Sequence, residues 1–142
     1  MRVEFARAED LEAFERVAAA FASGLRRGDV VALAGDLGAG KTTFVRAVVR
    51  ALHGRDQAAS PTFTFRHRYA GKPPIEHLDL YRIEKPAEAL ELGLEEAFDG
   101  ESIVLVEWPE RLPGLIPDDA IHVAISGAGE SPRDLVIERR SA

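Results

Sequence analysis

An α/β fold with a mixed sheet flanked by helices follows from three observations on the sequence. The apolar run Val30 to Ala34 leads straight into the glycine-rich stretch GDLGAGKTT, Gly35 to Thr43, and a helical pattern then continues to Leu52. That is a buried strand, a loop and a helix in succession. Next, Phe63 to Tyr69 and Ile75 to Tyr81 read as consecutive strands separated only by the turn residues AGKPP, Ala70 to Pro74. Two strands without a helix between them are not a βαβ unit, so the sheet must mix parallel and antiparallel pairs. Finally, Ala120 to Ser126 and Leu135 to Arg139 flank the turn GAGESP and predict an antiparallel hairpin.

The remaining elements fit around these. Arg2 to Ala6 reads as a short edge strand. Asp10 to Leu25 places Leu11, Phe14, Val17, Ala18, Phe21 and Leu25 at helical spacing, with Gly24 and Gly28 marking the exit. After the glycine-rich loop, Phe44, Val45, Val48, Val49 and Leu52 form the apolar stripe of a second helix, and Arg46 and Arg50 lie on its solvated side. Pro61 biases Ser60 away from helix and opens the extended segment. Pro86 to Phe98 is helical with a break near Gly93, Ile103 to Val106 is the most hydrophobic strand, and Pro109 to Pro117 is a proline-rich loop. The chain shows no repeat, low-complexity tract or linker, so residues 1–142 read as one domain.

The loop carries the chemistry. Gly35, Gly40, Lys41 and Thr42 match the phosphate-loop pattern G-x-x-x-x-G-K-[ST]. Glycines let the backbone curl so that successive N–H groups face a polyphosphate, and the following helix N-terminus faces the same anion. Lys41 supplies a charge for the β- and γ-phosphates, and the Thr42 hydroxyl a ligand for Mg²⁺. The fold class is therefore a three-layer, P-loop NTPase-like domain, and a nucleoside triphosphate is the expected ligand.

Composition narrows the partners. A net charge of -6 argues against a broad electrostatic grip on nucleic acid or anionic lipid, so DNA is not expected, and it leaves room for a small basic patch or for RNA reached through a partner. With no cysteine, disulfides and thiolate metal sites are impossible. The first ten residues lack the apolar stretch of a signal peptide and no run is long enough to span a bilayer, so a cytoplasmic location is expected. The absence of asparagine excludes an N-K-x-D guanine-reading signature and favours adenine.

A phosphate loop needs an acid for the metal or its waters, usually at a buried strand end. Glu107, closing the run Ile103–Val106, and Asp79, in HLDLYR, both qualify, and either can ligate Mg²⁺ or orient the attacking water. For Asp79 the competing reading is a structural ion pair with His77 or Arg82; for Glu107 it is a solvated strand edge. Thr62, in SPTFT, occupies the loop where nucleotide switches keep a γ-phosphate-sensing hydroxyl, although Ser-Pro-Thr is also simply a turn. Trp108, the only tryptophan, is a packing anchor, a base-stacking face or a partner contact. The four histidines show no metal-ligand spacing.

Taken together, GDLGAGKTTF, SPTFTF followed by Tyr69, HLDLYR, ELGLEE and VEWPER resemble the TsaE (YjeE) family in order and spacing, from about Gly28 to Pro117. The resemblance implies a small bacterial P-loop ATPase with a mixed sheet, required for threonylcarbamoyladenosine formation in tRNA. It implies binding of ATP or ADP with Mg²⁺, and slow hydrolysis until the protein is engaged by TsaD and TsaB, the subunits that transfer the threonylcarbamoyl group. On this resemblance Gly35 and the stretch Gly38, Ala39, Gly40, Lys41, Thr42 and Thr43 hold the phosphates. Glu107 is the metal-associated carboxylate, Asp79 the Walker-B-like acid, Thr62 part of the switch loop, and Trp108 the family's tryptophan beside the glutamate. Asp10 stands near the nucleotide where Thr is common, and Arg133 is a candidate phosphate or ribose contact.

Two other functions use the same loop. A small-molecule kinase would carry a lid with several arginines, whereas only Arg111 separates Glu107 from Arg133. A nucleotide switch would differ from the ATPase only in needing no turnover.

Overall fold

The computed structural model describes residues 1–54 and 65–140. Its strands are β1 (Arg2–Ala8), β2 (Val30–Ala34), β3 (Arg66–Tyr69), β4 (Ile75–Asp79), β5 (Ile103–Glu107), β6 (Ile121–Ser126) and β7 (Arg133–Arg139). They form one sheet in the order β1-β7-β6-β2-β5-β4-β3. The inner four, β6, β2, β5 and β4, run parallel, while β3 at one edge and β7 and β1 at the other pair antiparallel. The mixed sheet and both hairpins thus stand as expected. Central β2 and β5 are almost wholly apolar because both of their faces are covered.

Helices α1 (Leu11–Ala22) and α2 (Lys41–His53) cover one face. Phe14 and Phe21 of α1 meet Phe44 of α2 at ring separations of 6.0 and 5.5 Å, within a core that includes Val31, Leu33, Leu105 and Val123. The opposite face of β2, β5 and β4 packs under the short α3 (Pro86–Glu91) and the 3-10 turn Leu94–Ala97, through Leu78, Val104, Val106 and Leu94. Gly93, with φ 67°, makes the break between them.

Several boundaries differ from the sequence expectation, and those at α1, β4 and β1 have a clear local cause. Helix α1 begins after Asp10, whose carboxylate caps it by accepting the Ala13 N–H at 2.8 Å, and ends at Ala22. Strand β4 stops at Asp79, because the Asp79 side chain accepts the Tyr81 N–H at 3.1 Å and turns the chain. Leu80 and Tyr81, expected as the last residues of this strand, therefore lie beyond it. Strand β1 is two residues longer than expected, held along its length by β7. Thr62, Phe63 and the start of the expected third strand lie outside the described residues.

Candidate functional site

The parallel strands deliver their carboxyl ends to one edge of the sheet, the place where open α/β sheets bind ligands. There β2 ends in the loop, β5 in Glu107 and β4 in Asp79, with Asp79 and Glu107 paired in register across adjacent strands. The loop is wedged against its surroundings. A Cβ on Gly35 would lie 2.6 Å from the Ile125 carbonyl oxygen, and Gly40, with φ 113°, has the Phe14 ring 3.2 Å from where a Cβ would stand. A side chain at Gly35 would overlap backbone, and one at Gly40 would be strained by the positive φ and crowd the Phe14 ring. Gly40 is followed directly by α2, whose first N–H groups have no partner within the helix.

Lys41 is only 5% exposed. Its ammonium donates to the Gly35 carbonyl and to the Asp36 carbonyl at 3.0 Å, and sits 4.1 Å from the centroid of the Trp108 ring. Burial pushes its pKa below the ordinary lysine value; the carboxylates of Glu107, Glu110, Asp79 and Asp36 oppose that shift without cancelling it.

Thr42 Oγ1 donates to Glu107, with both carboxylate oxygens at 3.1 Å. Buried His77 Nε2 lies 2.5 Å from Glu107 Oε2 and donates to it. His77 pairs with Glu107, so it is not the ion-pair partner that was considered for Asp79 beside Arg82. The signal was available in part: His77 and Asp79 alternate onto one strand face, but only the β4–β5 register shows that Glu107 shares it. Asp79 is half-buried and lines the same cavity of about 290 Å³ as Lys41, Thr42, Glu107 and Trp108.

Trp108 is the only non-glycine among the described residues with positive φ, 60°. Its N–H donates to Leu33 O at 3.3 Å, and Tyr81 packs on its ring at 4.9 Å. The backbone thus turns sharply after Glu107 and brings the indole back over the loop.

Asp10, Thr43 and Arg133 line a separate cavity of about 310 Å³ beside the loop, together with Phe14, Ala39 and Gly40. The Arg133 guanidinium is occupied by backbone carbonyls, donating to Ala39 O at 2.8 Å, Ser131 O at 2.5 Å, Gly129 O at 3.0 Å and Gly38 O at 3.4 Å.

The family model described as "Threonylcarbamoyl adenosine biosynthesis protein TsaE" matches residues 8–135. The chain belongs to the TsaE family. The TsaE of Bacillus subtilis is 39% identical over 128 residues, covering 89% of this chain and 78% of the relative. The TsaE of Nostoc sp. is 42% identical over 118 residues, covering 80% and 72%. The crystal structure of Bacillus subtilis YdiB superposes with a TM-score of 0.82 at 31% identity, covering 99% of this chain and 87% of that one. A role for TsaE proteins in the biosynthesis of threonylcarbamoyladenosine in tRNA accompanies that membership. Within this TsaE fold, the expected phosphate-loop residues, Asp79, Glu107 and Trp108 come together at one strand edge, Asp10 and Arg133 flank the loop on its other side, and Thr62 lies outside the described residues. No helix among the described residues is long and apolar enough to cross a membrane.

Proposed function

We propose that residues 1–142 act as one cytoplasmic ATPase domain that binds Mg²⁺-ATP, hydrolyses it slowly alone and works with TsaB and TsaD in forming threonylcarbamoyladenosine in tRNA. The observation that carries this reading is the Thr42–Glu107 hydrogen bond beside Lys41. A threonine hydroxyl that gives its hydrogen to a carboxylate keeps its lone pairs for a cation. Thr42 and Glu107 are hard oxygen donors that suit Mg²⁺, with Asp79 close enough to act on its waters. Mg²⁺, when bound, neutralises charge on the β- and γ-phosphates.

The chain's own groups do the rest. Loop N–H groups and Lys41 bind the phosphates, and the carboxylates around Lys41 make the ligand-free site acid-rich, which favours a triphosphate that arrives with its cation. His77 fixes the Glu107 carboxylate, leaving that group and Asp79 to orient an attacking water. The cavity bounded by Asp10, Thr43 and Arg133 is the space for the nucleoside half. Leu37, 71% exposed, and Tyr81, 41% exposed, rim an open mouth where water is not excluded, which accounts for slow turnover without partners. A kinase lid draws little support from the arginines here: Arg111 lies 5.7 Å from the Tyr81 ring centroid and Arg133 is bound to loop carbonyls.

The deciding experiment measures ATP hydrolysis by the protein alone and with TsaB–TsaD, with and without tRNA. Stimulation only in the complex is expected. Phosphorylation of a small metabolite instead would replace this reading with the kinase.

A further inference from the structure

The geometry points to Arg133 as a positioning residue for the phosphate loop, one that turns loop N–H groups inward by holding the carbonyls behind them. This inference rests on the reading that the loop binds a polyphosphate. In a trans peptide the carbonyl of one residue and the N–H of the next point in opposite directions. Arg133 Nε donates to the Ala39 carbonyl at 2.8 Å, on the side of the loop facing β7. The Gly40 N–H in the same peptide plane must then point the other way, towards the mouth of the loop. Arg133 Nη2 reaches the Gly38 carbonyl at 3.4 Å. The paired Ala39 N–H is turned into the loop, where it meets the Asp36 carbonyl at 3.0 Å.

The other end of the fork is anchored. Arg133 also donates to Ser131 O at 2.5 Å and Gly129 O at 3.0 Å, so the β6–β7 turn and the loop share one guanidinium. Gly127 leaves room for it: a Cβ there would stand 2.9 Å from Arg133 Cδ and 2.4 Å from the Pro132 carbonyl. An anion-binding nest needs its amides aligned before the anion arrives. A planar fork can hold several carbonyls at once, and a lysine ammonium on a flexible stem cannot reproduce that geometry. Arg133 therefore acts on the phosphates through the Gly40 amide, while the Ala39 amide is kept on the Asp36 carbonyl, and not by contact.

The test compares wild type, R133A and R133K by amide NMR of the nucleotide-free protein and by calorimetry with ATP and with inorganic tripolyphosphate, which has neither ribose nor base. Positioning predicts that the Ala39 and Gly40 amide resonances move in nucleotide-free R133A. It also predicts that ATP and tripolyphosphate lose affinity by the same factor, about tenfold or more, and that R133K falls between. Three results overturn it: loss of ATP affinity with tripolyphosphate unchanged, which marks a ribose or base contact; equal losses with the nucleotide-free amides unmoved, which marks a direct phosphate contact; and lowered thermal stability with both affinities intact. Should R133A fail to fold, R133K carries the same readouts. If wild type binds neither ligand, the ATPase reading fails by itself, and the amide shifts alone then decide the role of Arg133.

Discussion

At the residue scale, Glu107 is the group on which the site turns. It is buried, it holds Thr42 and it is held by His77. Removing it takes away a partner for two donors without touching the loop backbone. Glu107→Ala is therefore expected to keep ATP affinity within a few-fold and to lose hydrolysis by about 100-fold or more in the presence of partners. Single-turnover hydrolysis beside equilibrium binding checks both halves, and unchanged turnover would move the catalytic role to Asp79. Lys41 makes a different statement. Its pKa is lowered in the folded protein, so just below the ordinary lysine range the unfolded chain binds more protons than the native one. Stability of the nucleotide-free protein must rise with pH through that window. Lys41→Met removes the titrating group. Denaturant unfolding of both proteins between about pH 8 and pH 10.5 should show wild type gaining on the variant as pH rises, and parallel curves would contradict the burial argument.

At the element scale, each functional residue depends on how its strand or helix ends. Strand β5 is followed at once by Trp108, with φ 60°, a conformation that costs a bulky side chain about 1 kcal/mol or more. That turn is what returns the indole to Lys41. Strand β4 ends because Asp79 bonds the Tyr81 N–H, and Tyr81 then supports the same indole. Helix α1 starts at Asp10, and its cap stands beside the cavity assigned to the nucleoside. Asp10→Ala should destabilise the protein by about 1 kcal/mol, whereas Asp10→Asn keeps an acceptor and should cost only a few tenths. Thermal melts of the two variants distinguish a cap from a merely charged neighbour; equal losses would rule the cap out. The outer hairpin has its own anchor, since Glu76, fully buried, accepts from Arg66 at two oxygens and from Arg68. This holds the β3 edge against the sheet and raises the pKa of Arg66, chiefly through its hydrogen bonds to Glu76.

At the scale of the whole molecule, net charge and topology set what the sequence could disclose. With -6 overall, the isolated protein should bind tRNA weakly, and filter binding from 50 to 200 mM salt should show little change. Tight, steeply salt-dependent binding would contradict the expectation that RNA is reached through a partner. Local chemistry was readable where the chain is locally self-consistent: strand, glycines, Lys41 and Thr42 are contiguous, and the helix that follows carries a clear apolar stripe. The hairpin β3–β4 was readable from alternation and a turn. What stayed hidden required contacts across the sheet. His77 and Glu107 are 30 residues apart in sequence and meet only through the β4–β5 register. Arg133 reaches Ala39 across 94 residues, and nothing in its surroundings in sequence marks the carbonyls it will find. The burial of Glu76 left a faint trace, two arginines alternating on the strand opposite it.

The indole folded back over Lys41 also gives the protein a built-in optical signal. Trp108 is the only tryptophan, and the ammonium 4.1 Å from its ring centroid is the charge expected to engage a bound phosphate. Any ligand that draws the ammonium away alters the electrostatic environment of a single emitter. Titration with Mg²⁺-ATP should shift the intrinsic emission without any added label, and Lys41→Met should abolish that shift. An emission spectrum indifferent to saturating nucleotide would mean that the ammonium stays against the indole while the site is filled.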